Sequence, residues 1–204
     1  MTSPGSKLPA TVKLCHAIEI ASRKDMFTQE KFSPLLDKGS VTTAEALDLF
    51  DSLDAVGLDF MDGRWKGAGF HTGHPMDGLL EVASWYGKEF VSPDCVHPLL
   101  FSDGNQNIFK VSPVPSLIKL ALRLPIPTSD TFKPFFTLFN PLLKTEDSQA
   151  RLRMMEHRGK LSATMIYDHL PIHDHFRRGN DNTVMGLMDY KASPQPFFFL
   201  LHRV

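Results

Sequence analysis

The spacing of apolar residues changes along the chain, and the change separates helical from extended segments. Between Thr11 and Ala21, Val12, Leu14, Cys15 and Ile18 recur at roughly every third or fourth position, the spacing of one helix face. Thr42 and Thr43 stand ahead of AEALDLFDSL, where a hydroxyl cap followed by Ala46, Leu47, Leu49 and Phe50 predicts a short helix. In GRWKGAGF, 63–70, glycines alternate with larger residues and no helical stripe can be drawn, so a first strand with close backbone approaches is expected. HTGHPMDG then turns the chain. LLEVASWYGKEF spaces Leu79, Val82, Tyr86 and Phe90 at helical intervals behind Asp77 as a cap, which predicts a helix, with a strand as the alternative.

VHPLLF and NIFKVS are short apolar runs separated by SDGNQ, a hairpin with turn chemistry at Asp103-Gly104-Asn105. From 113 to 143 the pattern becomes helical in SLIKLALRL and then Phe-rich with interrupting prolines in FKPFFTLFNPLL, a helical insertion. The remainder reads as five strands in hairpin order: ARLRMMEHR, LSATMIYD, IHDHFRR, TVMGLMDY and PFFFLLHRV. No repeat with a period of 20 to 50 residues exists, which excludes a solenoid or propeller. About eight mostly antiparallel strands with few helices fit an α+β protein built on a closed, calycin-like barrel, because closure removes exposed edges. A doubly wound sheet would need helices between the last strands. The expected organisation is an N-terminal helical arm over 1–44 and a single barrel domain over 45–204, the latter divided into 45–112, the insertion 113–143 and C-terminal strands 150–203.

Composition narrows the partners. With 204 residues, 42% hydrophobic and 22% charged, the chain can bury a core without staples. Its 22 Lys and Arg against 23 Asp and Glu leave no basic excess for a phosphate backbone, so nucleic acid is excluded as the expected partner. No apolar run reaches the roughly 20 residues that span a bilayer, and MTSPGSKLPATVK lacks the apolar centre of a secretory signal. A cytoplasmic protein, with homo-oligomerisation left open, is expected. Cys15 and Cys95 form no C-x-x-C pair, so they read as spectator thiols.

GRWKG, 63–67, is a G-x-W-x-G match. The surrounding FMDGRWKGAGFHTGHPMDGLLEVASWYGKEFVSPDCVHPLLF resembles the GXWXG-domain family. RLRMMEHRGKLSATMIYDHLPIHDHFRRGNDNTVMGLMD and PFFFLLHR are similar to the domain of unknown function that usually follows it, and the two resemblances together cover about 45 to 203. They imply no established activity, so function has to be argued from residues. Lipocalin-like barrels are a more distant analogy: they too begin with G-x-W and lay a basic residue from the barrel's end across the indole. Trp65 and Arg203 are candidates for that contact; a core tryptophan and a solvated terminal charge are the alternative.

The candidate chemistry gathers in three places. In HTGHP, Gly73 and Pro75 forbid the helix that a zincin-type histidine pair needs, so His71 and His74 are read as lining a pocket or capping turns, and no metal ligand is assigned. His97 and His173 are further pocket candidates. YDHLPIHDHFRR brings Tyr167, Asp168, His173, Asp174, His175 and Arg177 together, and strand alternation places Asp174 opposite His173 and His175, on a face it shares with Ile172 and Phe176. An acid among apolar side chains, paired with Arg177 or another cation, is what tuned acid–base chemistry requires, and equally what a structural ion pair looks like. SWYGKEF adds Trp85, Tyr86 and Lys88 as ring, phenol and amine.

Neither a nucleophile elbow nor a phosphate-binding loop follows a strand. The expectation is therefore an apolar small molecule held in the barrel and converted without a cofactor, as by an isomerase or cyclase. Asp168, Asp174, Arg177, Tyr86 and Lys88 are its catalytic candidates, and Trp65, Trp85, His71, His74, His97, Tyr167 and His173 its ligand contacts. A non-catalytic carrier of fatty acid or another lipophile, a haem- or metal-binding barrel, and a structural partner-binding role are the alternatives.

Overall fold

A capping box starts helix α1 (Thr43–Ser52): the Thr42 hydroxyl accepts from the Glu45 backbone N–H, and the Glu45 carboxylate accepts from the Thr42 N–H. The computed structural model describes residues 34–35, 38–103, 107–116 and 143–204. The expected helix at Thr11–Ala21, nearly all of the N-terminal arm and most of the insertion at 113–143 lie outside the described residues.

Ten strands follow α1: β1 (Asp54–Ala55), β2 (Gly63–Gly69), β3 (Trp85–Ser92), β4 (Cys95–Ser102), β5 (Ile108–Lys110), β6 (Ala150–His157), β7 (Lys160–Tyr167), β8 (Ile172–Asn180), β9 (Thr183–Tyr190) and β10 (Phe197–Arg203). A short helix, α2 (Leu79–Val82), precedes β3. Eight strands close in the order β8-β7-β6-β4-β3-β2-β10-β9, with β9 pairing back to β8 and every pairing antiparallel. The barrel anticipated from the strand pattern is therefore present. Among the described residues, no helix is long and apolar enough to cross a membrane.

The barrel's membership differs from the sequence reading at two elements. The helix expected over LLEVASWYGKEF ends at Val82, Ser84 takes a left-handed φ of 58°, and Trp85 begins barrel strand β3. Register shifts at Trp85/Gly87, Gly87/Glu89 and Phe90/Ser92 break its two-residue alternation, which is why its apolar residues imitate helical spacing. Asp77 does not cap that helix. Its Oδ2 accepts from the backbone N–H groups of Thr72, Gly73 and His74, holding the HTGHP turn instead. The expected hairpin partner NIFKVS is the three-residue β5, which pairs with β4 outside the closed ring.

Alternation along the strands splits the apolar residues into an inner and an outer cluster. Inside lie Trp65, Trp85, Phe90, Met165, Phe176 and Phe199. Outside, Ala46, Leu49 and Phe50 of α1 pack on Met185, Leu187, Phe198 and Leu200 of β9 and β10. Strands β2 and β10 are pinned together. The Arg203 guanidinium lies 4.2 Å from the centre of the Trp65 ring and donates to the Phe60 and Asp62 carbonyls, while the Trp65 N–H donates to the Met61 carbonyl. The cation–π contact considered from sequence is thus formed, a term of about 0.5–2 kcal/mol.

Candidate active site in the barrel interior

Among the described residues, an ion pair interrupts the apolar interior. Lys88 on β3 and Asp174 on β8 meet across it with Nζ 2.9 Å from Oδ2, their side chains 3% and 1% exposed. Lys88 also donates to the Pro98 carbonyl at 3.2 Å and reaches the Tyr167 hydroxyl at 3.5 Å. Three rings surround its ammonium: Phe199 at 5.0 Å, and Trp85 and Tyr167 at 5.6 Å each. Desolvation of an ion pair costs several kcal/mol per charge, and aromatic faces offset part of that for the cation.

Two polar atoms here, Asp174 Oδ1 and Trp85 Nε1, have no hydrogen-bond partner among the described residues. Burial pushes the Asp174 carboxyl above the ordinary carboxylate range, and the Lys88 ammonium pulls it back. Burial, reinforced by the Asp174 charge, also holds the Tyr167 phenol well above its usual value. Tyr167 therefore remains a neutral O–H that accepts from Lys88 and keeps its own proton to donate. The site combines a carboxylate oxygen, a phenol donor and an indole N–H in a medium with little water, where each acts more strongly than in solvent.

Glycines let the rings approach. A Cβ on Gly67 would stand 2.0 Å from Trp85 Cζ3, and one on Gly186 would stand 2.3 Å from Phe199 Cζ. Trp85 and Phe199 meet edge to face at 5.8 Å. On the far side of Gly67 the wall is thin, because β2 pairs with β3 only from Gly63 to Lys66 while its pairing with β10 continues to Gly69. A cleft of about 380 Å³ lies there, lined in part by Val41, Gly67, Gly69, His71 and Glu81.

Trp85, Lys88, Tyr167 and Asp174 thus come together, and the other candidates fall elsewhere. Arg177 is not the partner of Asp174: it lies on the outer face of β8, over the Phe50 ring at 4.7 Å, and donates to the Phe176 and His157 carbonyls. Asp168 is an exposed residue facing Arg151 at 3.4 Å. Tyr86 is half-buried on β3 and makes no hydrogen bond or ring contact with the pair. Trp65 is held by Arg203. His71 pairs with Glu81 at the cleft, 3.1 Å away.

His74 does cap a turn. Its Nδ1 accepts from the Met76 N–H, its Nε2 reaches Ser193 Oγ, and burial lowers its pKa. His97 is buried on β4 with Nδ1 unpartnered among the described residues. His173 lies on the outer face of β8, edge-on to His175 at 6.1 Å. Sequence reasoning missed Phe199 and the Pro98 carbonyl; aromatic and proline residues in strands carry no signal that distinguishes a cage wall from ordinary core.

Fold and interior define a closed antiparallel barrel with one buried lysine–aspartate pair. GXWXG protein matches residues 48–105, and the domain of unknown function DUF4334 matches residues 148–203. A crystal structure of a protein from Thermomonospora curvata is 34% identical, with 87% of this chain and 98% of that one covered at a TM-score of 0.63. No curated protein matches the chain. The chain belongs to the GXWXG proteins that carry this second domain.

Proposed function

We propose that this barrel takes up an apolar small molecule bearing a carbonyl group and isomerises it by proton transfer, without a cofactor. The observation that carries the reading is the buried Lys88–Asp174 pair, in which one carboxylate oxygen has no partner among the described residues and three aromatic rings surround the ammonium. Asp174 Oδ1 takes a proton from the carbon beside the carbonyl, and the C–H electron pair moves to form an enolate. Tyr167 O–H, polarised by the Lys88 ammonium, donates to the enolate oxygen. Asp174 then returns the proton to another carbon, so that substrate and product have the same mass. Entry is by the cleft beside Gly67, with the Trp85 ring turning away from the glycine to admit the ligand. A cytoplasmic location and a ligand chosen by burial, at about 25 cal/mol per Å², complete the reading.

The test uses small-molecule extracts incubated with the full-length protein and followed by chromatography and mass spectrometry. A compound should be replaced by an isomer of equal mass, and a substrate deuterated beside the carbonyl should keep that deuterium at the new carbon when the reaction is run in H2O. Asp174→Asn and Tyr167→Phe, with melting confirmed, should abolish the change. Copurification of a lipophile seen by native mass spectrometry, with no conversion by the wild type, identifies a carrier and overturns the enzyme reading.

A further inference from the structure

On the outer wall of the barrel, His157 at the end of β6, His175 on β8 and Asp189 on β9 bring one ligand atom each to within 4.8 Å of one another. These residues play no part in the interior chemistry, since His175 points away from the side of β8 that carries Asp174. Register explains the grouping. His175 pairs with Leu187 and His173 with Asp189, so Asp189 is the diagonal neighbour of His175 on the same face. The β6–β7 turn then folds His157 onto His175, with ring centroids 3.8 Å apart.

The hydrogen bonds around His175 determine which nitrogen is available. Thr164 Oγ1 donates to the Ser162 carbonyl and lies 2.9 Å from His175 Nδ1, so it accepts from an Nδ1–H. That tautomer leaves the lone pair on Nε2, and Nε2 is buried without a partner among the described residues, in a residue only 2% exposed. An orphaned imidazole lone pair beside a second imidazole and a carboxylate is a donor set lacking its acceptor.

We propose that His157, His175 and Asp189 form a binding site for a divalent transition ion of the zinc type. Two nitrogens and one carboxylate suit zinc and its neighbours and fall short of the oxygen-rich shells that calcium and magnesium require. The Thr164 hydroxyl is the outer partner that orients His175. Three protein donors leave one tetrahedral position open to water or a ligand.

The rings now stack within 3° of parallel, so their in-plane lone pairs do not converge. Binding therefore turns the half-buried His157 out of the stack, while Asp189, which is exposed, closes from the other side. Arg177 and Arg158 oppose a cation, and Asp189 and Asp51 favour it.

The experiment titrates Zn²⁺ into the full-length protein, stripped of metal, against a chromophoric chelator. Binding of one ion per chain is expected, with a melting temperature that rises with zinc. Asp189→Asn and His157→Ala, both at accessible positions, should each weaken binding by at least about tenfold, and Thr164→Val by about 10- to 100-fold. Nitrogen-15 spectra should show a bare His175 Nε2 in the apo protein that shifts on adding zinc. Binding equal in the wild type and both ligand variants, no binding at all, or an Nε2–H tautomer in the apo protein would each overturn the site. Because the interior pair is untouched, none of these results bears on the proposed isomerase.

Discussion

Replacing Lys88 by methionine removes the cation paired with Asp174 and leaves a carboxylate buried to 1% exposure whose Oδ1 has no hydrogen-bond partner among the described residues. At 2.9 Å the lost attraction is about 6 kcal/mol for an effective dielectric constant of about 20. The protein need not lose all of it, because the carboxylate can instead take up a proton. Raising a carboxyl from an unfolded pKa of about 3.9 to neutrality at pH 7 costs about 4 kcal/mol, at about 1.4 kcal/mol per unit.

The expected loss for Lys88→Met is therefore about 3–5 kcal/mol at pH 7, out of the roughly 5–15 kcal/mol that a domain possesses. The sign of its pH dependence follows. In the variant the folded state keeps a proton on Asp174 that the wild type has released at pH 7, so the penalty relative to wild type should shrink by up to about 1.4 kcal/mol for each unit of acidification below pH 7, until the wild-type carboxyl, itself raised by burial, also takes up a proton. Lys88→Met/Asp174→Leu, which leaves no charge to bury, should recover most of the loss. Urea unfolding with linear extrapolation across this pH range measures all three terms. A penalty below about 1 kcal/mol, one that ignores pH, or a double variant as damaged as the sum of the singles would refute the reasoning.

Metal-free wild type should itself weaken on acidification. Burial holds His74, His157, His175 and His202 below the ordinary imidazole value, so stability present above about pH 6.5 is lost as pH falls, at up to about 1.4 kcal/mol per unit for each group kept neutral. For His175 the window extends down to about 3; unfolding free energies that stay flat from pH 7.5 to 5 would contradict this. Gly67→Ala places a Cβ 2.0 Å from the Trp85 ring and should cost about 1–3 kcal/mol, with a change in tryptophan emission as the ring is displaced. Arg203→Met removes the contact with Trp65 and two hydrogen bonds to carbonyls, and a loss of about 1–3 kcal/mol in thermal unfolding is expected.

Local chemistry was legible wherever neighbouring residues alone decide the conformation. The Thr42 cap, the strand at GRWKG and the five closing strands declare themselves because capping and two-residue alternation depend on a few adjacent side chains. Alternation also puts Asp174 on the face opposite His173 and His175. The strand β3 hid behind helical spacing, since its bulges are set by the strands on either side and by Gly87 meeting the Trp65 carbonyl. Which cation faces Asp174 could not be read either: Arg177 is three residues away but on the outer face of the same strand, whereas Lys88 is distant in sequence and brought across by closure of the barrel. The same closure set His157 on His175 and left one nitrogen without a partner. Periodicity records which face a residue occupies; only the register of distant strands decides what that face meets.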